Sequence, residues 1–343
     1  MIVRGRLPWP LVLQVLAVLG AVWLVVQTWK IWLLGFTALV VAAAMLPAAR
    51  VGERYRVPRG VTVGIVYLLV IGVVALVGRL VWPALAEQAQ QFMQQLPRLI
   101  ENVKGWLGDL AYYIEQWGAP LPSFRTPGAD NLQSMFGTVL ANTFRVTAGA
   151  FGAALGLLTI VVIAAYLVID APRVGAMLLS LLPPEHRPTA RRLAPAVLDR
   201  VGGYVRGQLL SSVFVGALIA AALSILGVRY SLLIGAIAAV FNIVPFVGAA
   251  IAGILGVLSA LNESLTLAIA TALVMWAAQA VEGKFLAPHF VGRATGLHPL
   301  AVLLALLAGA HLAGLIGALV AVPFMAGVWE VIRTLWVDPR RDG

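Results

Sequence analysis

The chain has 343 residues, of which 61% are hydrophobic and only 11% charged, with a formal net charge of +10 and a mean hydropathy of +0.96. A soluble fold of this length has no use for so much apolar surface, so the composition points to a polytopic membrane protein. The absence of cysteine removes disulfides, thiolate metal sites and cysteine nucleophiles, and the arginines fall in short loops that leave no folded basic domain for nucleic acid.

A helical bilayer crossing needs about 20 apolar residues. The stretches 8 to 28 and 31 to 47 meet that requirement, and Pro8, Trp9 and Trp29 stand at the ends of the first, where aromatic rings favour the membrane interface. The first apolar run is too long for a cleaved signal peptide, and no small-x-small site follows it. The third span is read at 61 to 82. Beyond it Leu85, Ala89, Phe92, Leu96, Leu99, Val103, Trp106, Leu110, Tyr113 and Trp117 recur at alternating steps of four and three. This spacing predicts a long helix leaving the membrane with one apolar seam, bent at Pro97. The seam has two uses open to it. It can pack on the amphipathic stretch Leu132, Met135, Phe136, Val139 and Leu140 of the same chain, or it can zip protomers together, with Leu99 and Trp106 as interface positions. Pro120, Pro122, Pro127 and Gly128 mark a turn-rich connection between the two segments.

The fourth span is read at 147 to 169. A break follows at Pro183-Pro184, and a helix from Arg191 to Tyr204 leads into a fifth span at 207 to 228; a further span lies at 264 to 281. Two other apolar stretches, 230 to 260 and 298 to 327, are each about 30 residues, too short for two crossings and long for one. The first is interrupted by Phe241-Asn242-Ile243-Val244-Pro245-Phe246-Val247-Gly248, and the second thins to Gly309, His311, Gly314 and Gly317. Proline removes a backbone donor and glycine permits an otherwise strained turn. A broken backbone at membrane depth must face protein or a wet cavity. Each stretch therefore reads as a re-entrant hairpin of two half-helices, and the two tips are expected to meet near the midplane within an inverted repeat. The rival reading makes each stretch one long kinked span.

The fold class expected is all-α: about six full spans plus two broken hairpins, or eight spans, with an extended outer helical segment. The chain divides into N-terminal helices (1 to 82), an extracytoplasmic segment (83 to 146), a fourth span with its cytoplasmic linker (147 to 206), a transport core (207 to 330) and a tail (331 to 343). Arg4 and Arg6, the cluster Arg50, Arg54, Arg56 and Arg59, the cluster from Arg173 to Arg206, and Arg333, Arg340 and Arg341 fall on one side if spans alternate. That side is expected to be cytoplasmic, placing both termini inside and the protein in the inner membrane.

Tyr204-Val205-Arg206-Gly207-Gln208 opens a span that ends in Leu226-Gly227-Val228. After the Asn242 to Gly248 motif come Glu282, Pro288, Gly292 and Leu297-His298-Pro299-Leu300, then Gly314, Gly317 and Val320-Ala321-Val322-Pro323. Together these resemble the AI-2E family of bacterial inner-membrane proteins, the autoinducer-2 exporter family, most strongly in the C-terminal half. The resemblance implies a multi-span transporter, with autoinducer-2 export in some members and sodium/proton antiport in others. It also implies a homo-oligomer, with a pentamer as the expected number. Gly283 stands after Glu282 where many relatives carry an amide, and His311 occupies a stretch of otherwise small residues.

The residues themselves also lead to transport. Side chains able to handle a ligand within the apolar stretches are few: Gln208, Ser211, Ser212, Asn242, Gln279, Glu282 and His311. Asn242, Pro245 and Gly248 at the first tip, with Gln208 and His311, are the candidate substrate-binding residues. Glu282 is the candidate coupling residue, because an intramembrane carboxylate is costly unless it works; its other reading is an ion pair with Lys284 or Arg206. The chain holds no Gly-x-x-x-x-Gly-Lys-Ser/Thr phosphate loop, no His-Glu-x-x-His zinc site and no Gly-x-Ser-x-Gly elbow. The function expected is thus secondary transport of a small polar solute or ion, without cofactor or metal. The alternatives are an antiporter, an oligomeric channel and, behind these, an intramembrane enzyme. The partners expected are the lipid bilayer, the solute or ion, and further copies of the same chain.

Overall fold

Apolar runs without interior turn residues have one way to satisfy their backbone in lipid, and they form helices here. The computed structural model describes residues 9–116, 146–291 and 297–338. In chain order the helices are α1 (Trp9–Gln27), α2 (Trp29–Arg54), α3 (Arg59–Gln116), α4 (Val146–Ile169), α5 (Ala171–Ser180), α6 (Arg187–Ile225), α7 (Ser231–Phe241), α8 (Val247–Leu261), α9 (Leu265–Val281) and α10 (Pro299–Ile332). No strand occurs among the described residues. Among the described residues five helical stretches are long and apolar enough to cross a bilayer by length and composition, α10 counted end to end across its reversal and α9 with its continuation to Leu286, and α4 with α5, bent by 77°, makes a sixth if counted as one span. The chain is a multi-pass α-helical membrane protein.

Two helices run beyond their expected limits. α2 continues through Pro47 to Arg54. Pro47 has no N–H to give the Ala43 carbonyl one turn back. Arg206 of α6 supplies the missing donor: its Nη1 reaches the Ala44 carbonyl at 3.0 Å and the Ala43 carbonyl at 3.5 Å. Gly202, one turn earlier on α6, lies so close to the Ala43 carbonyl that a Cβ there would collide with it. The Tyr204 to Gln208 motif thus opens by docking α6 on the proline-weakened turn of α2. α6 is itself a single helix, merging the expected cytoplasmic helix with the fifth span, and its Arg200 pairs with Glu330 of α10 where both side chains are nearly buried.

The interrupted stretch after α6 is a helical hairpin. α7 has 11 residues and α8 has 15, so at 1.5 Å per residue they measure about 16 and 22 Å, short of the roughly 30 Å hydrocarbon core. They pack against each other and enclose the turn at Asn242 to Phe246. The second stretch also folds back. Within α10, Ala313 (φ −141°, ψ 20°) and Gly314 (φ 60°, ψ −142°) leave helical geometry. Eight residues along a straight helix separate Gly309 from Gly317 by about 12 Å, yet a Cβ on either would strike the other's carbonyl. The halves 299–312 and 315–332 therefore lie side by side, and both stretches are hairpins rather than kinked spans.

α3 runs through Pro83 and Pro97 and carries the outer seam onto the first hairpin. Ala89, Phe92, Leu96 and Leu99 are buried in one cluster with Leu233, Ile234 and Ala260 of the hairpin. Phe92 meets Tyr230 edge to face at 5.3 Å. Gln88 Oε1 accepts from the Leu233 N–H, one of the free amides that open α7. This corrects the expectation for Leu99. It is 3% exposed inside the protomer, so it is not available to face another copy. The proposed partner stretch Leu132 to Leu140, the turns at Pro120 to Gly128 and the end of the seam at Trp117 lie outside the described residues, as does the side chain of Trp106.

Candidate functional site

Asn242 closes α7 and is fully buried. Its place is set by Gly248, because a Cβ at 248 would run into the Asn242 backbone and come within 2.7 Å of the Ala238 carbonyl. Only glycine lets the start of α8 lie this tightly on the end of α7. Pro245 stands in the turn between, followed by Phe246 in the left-handed region at φ 70°. Phe246 has no glycine's freedom there, so the turn is strained locally and held by its surroundings. The surroundings are specific: Val244 of the tip is buried among Tyr204 of α6 and Leu306, Ala318 and Val322 of the second hairpin.

Four polar side chains from three elements converge on this tip. Gln208 Nε2 of α6 donates to the Asn242 carbonyl at 2.6 Å. Asn242 Nδ2 donates to Glu282 Oε1 at 2.7 Å. Gln279 Nε2 donates to Glu282 Oε2 at 3.3 Å. Glu282 continues the buried stripe of α9, where Thr271, Met275 and Ala278 recur at helical spacing. At Glu282 the helix widens into a π-helical segment, Glu282–Val291; such widening is frequent at functional sites. The amides of Asn242 and Gln279 thus spend their donors on one carboxylate. Their oxygens, Asn242 Oδ1 and Gln279 Oε1, are buried and make no hydrogen bond, as are Ser212 Oγ and Thr271 Oγ1. A buried acceptor left without a donor costs about 1–3 kcal/mol. Two of them beside a carboxylate make an oxygen-rich group whose chemistry suits a cation or a solute bearing hydroxyl groups.

The sequence candidates are therefore divided. Gln208, Asn242 and Glu282 come together, joined by Gln279, while Pro245 and Gly248 shape the turn. His311 does not join them: it is exposed near the tip of the second hairpin and makes none of these bonds. The tips do not meet tip to tip, since the first hairpin's tip packs against the body of the second at Leu306 and Ala318. Glu282 pairs with neither Lys284 nor Arg206; its partners are amides, and Arg206 serves the α2 carbonyls. His298 is a helix cap, its Nδ1 accepting from the Leu300 N–H at 3.3 Å. Thr271 was missed by the sequence reading, although its four-residue step to Met275 on the stripe that ends at Glu282 was there to be followed.

Comparison with known proteins agrees in extent with this architecture. The family described as AI-2E family transporter matches residues 11–336. Relatives include two candidate transport proteins of Bacillus subtilis (strain 168). YueF is 25% identical over 300 residues, 85% of this chain and 79% of the relative. YrrI is 27% identical over 311 residues, 89% of this chain and 86% of the relative. The candidate transport protein MT0215 of Mycobacterium tuberculosis (strain CDC 1551 / Oshkosh) is 28% identical over 307 residues, 87% of this chain and 81% of the relative.

Proposed function

The chain belongs to the AI-2E transporter family, and from that membership we propose that it is a secondary carrier of a small polar solute or ion, bound at the group formed by Asn242, Gln279 and Glu282. The observation carrying this reading is the pair of buried, unbonded oxygens Asn242 Oδ1 and Gln279 Oε1 on either side of the Glu282 carboxylate. A hairpin tip holding such oxygens inside an apolar protein is what a transport site needs: polar contacts available to a solute and withheld from lipid. Export of an autoinducer-2-type solute fits the hydroxyl-binding capacity of the two amide oxygens. The carboxylate favours a second reading, sodium/proton antiport, in which Glu282 exchanges a proton for the metal ion.

The test is uptake into inverted membrane vesicles with two probes, autoinducer-2 and radiolabelled sodium. Asn242→Leu removes the site's oxygen and both amide donors, and it should abolish uptake of whichever probe the parent moves, with expression and oligomer mass preserved. Uptake at the parental rate would place the binding site elsewhere and leave the Phe241 to Gly248 break as a packing device. Accumulation of the probe against its own gradient separates a carrier from a channel.

A further inference from the structure

The short helix α5 turns 77° away from α4; with α4 read as the membrane crossing, α5 is placed near the membrane surface. Its two faces differ. Val174, Met177, Leu178 and the following Leu181 line one side at helical spacing, and Met177, Leu178 and Leu181 are 67%, 59% and 72% exposed. The other side carries small residues together with Pro172 and Leu179. Ala171, Gly175, Ala176 and Ser180 border a cavity of about 380 Å³ that is completed by Arg187 and Arg191 at the start of α6. A Cβ on Gly175 would meet nothing within 4 Å, so the cavity is open at its floor.

Neither guanidinium is paired with a carboxylate of a described residue, and that of Arg187 is held in place. Arg187 Nε donates to the Leu182 carbonyl at 3.0 Å and its Nη2 to the Ser180 carbonyl at 3.2 Å. These bonds fix the side chain and leave Nη1 to donate elsewhere. Arg191 stands one turn further along the same face and makes no ion pair with a described residue. Of the nearby acids, Asp170 is taken by Arg173 at 3.2 Å, and Glu185, in the turn Pro184–His186, pairs with neither arginine. A fixed guanidinium and an exposed one beside it, over a floor that includes Gly175 and Ala176, match a phosphate group. The adjoining exposed apolar stripe supplies what acyl chains would cover.

We propose that this cavity binds the headgroup of an anionic phospholipid, with Arg187 and Arg191 on the phosphate and the Met177, Leu178, Leu181 stripe against the acyl chains. The arginine-rich face on which it opens is the one the positive-inside rule makes cytoplasmic, where anionic lipid attracts basic residues. The proposal stands on α5 and α6 alone and is independent of the transport site.

Native mass spectrometry of the full chain, released from detergent with added dioleoyl phosphatidylglycerol or dioleoyl phosphatidylcholine, tests it. The parent should retain phosphatidylglycerol selectively. Arg187→Gln with Arg191→Gln should weaken that retention by about tenfold or more, since each basic residue near an anionic surface contributes on the order of 1 kcal/mol. Gly175→Leu keeps both charges but fills the cavity, and it should lower retention comparably. Arg192→Gln, which removes a neighbouring exposed charge that does not line the cavity, should leave selectivity within about twofold of the parent. Equal retention in the double variant overturns the proposal, and so does an equal loss from Arg192→Gln, which would reveal only diffuse surface charge. Inorganic phosphate raising the melting temperature of the delipidated protein as much as phosphatidylglycerol does would assign the cavity to a soluble anion and overturn the lipid assignment.

Discussion

Asn242 spends each of its polar groups differently: its carbonyl accepts from Gln208, its amide nitrogen serves Glu282, and its side-chain oxygen remains unbonded. The division suggests separate roles for the two neighbours. Gln208 holds the tip. Gln208→Leu should destabilise the protein by about 1–3 kcal/mol by stripping the Asn242 carbonyl of its donor, read as a lower melting temperature in detergent. Glu282 carries the charge. Glu282→Gln keeps the volume and removes the negative charge, so proton or cation dependence of transport should vanish while binding of a neutral solute persists; intact cation dependence would exclude Glu282 as the coupling group. Asn242, Gln279 and Glu282 were legible in the sequence because polar residues in apolar runs stand out. That Gln208 would reach across 34 positions to the Asn242 backbone was not legible, because only tertiary packing brings α6 onto the turn. The same holds for Arg206, whose partners are the Ala43 carbonyl that Pro47 leaves without a donor and the neighbouring Ala44 carbonyl.

The hairpins show what pattern can and cannot convey at the level of elements. Their existence was readable from length, since stretches of about 30 residues fit neither one crossing nor two. The turn of the second was readable from Gly309, Gly314 and Gly317, and the reversal uses Gly314 at φ 60° with Gly309 and Gly317 touching; that the two tips do not meet was not readable, because tertiary packing decides it. Two glycines of the first hairpin give opposite expectations. Gly248→Ala forces a Cβ into the Asn242 backbone and should destabilise by about 1–3 kcal/mol. Gly253→Ala, on the same helix, meets nothing within 4 Å and should stabilise by about 0.5–1 kcal/mol through helix propensity. Thermal unfolding of the two variants side by side checks the sign of each. The hairpin geometry also fixes a topology, because α7 and α8 return to the face they left. Glu263 before α9 and Lys284 after it are then expected on opposite sides of the membrane, Glu263 outside if the arginine-rich face is cytoplasmic, with positions 263 and 293 as the reporters. In this cysteine-free chain, single cysteines at the two positions should react with an impermeant thiol reagent from outside only at 263. Outside labelling at 293 would require the first hairpin to be a full crossing.

At the scale of the whole molecule, the outer helix belongs to the protomer's own packing. The heptad seam of α3 was readable as apolar and continuous, but a repeat does not say what covers it. Its first half, Ala89 to Leu99, belongs to the protomer's own core over the first hairpin, with Asn102 and Asn262 hydrogen-bonded just beyond. We propose that copies of the chain meet on the seam beyond Leu99, where a tryptophan, Trp106, offers the most apolar area. Apolar residues on a helix in water need burial, which stabilises by about 25 cal/mol per Å², and a charge placed there reverses the gain. Trp106→Glu should thus release monomers in mild detergent with the spans still folded. Leu99→Glu should instead lower the melting temperature of the protomer, because it puts a carboxylate into the cluster that holds Ile234 and Leu255. Light scattering with circular dichroism separates the two outcomes. An unchanged mass in the Trp106 variant would leave the distal seam without a role between copies, and assembly would then have to run through the membrane-embedded helices.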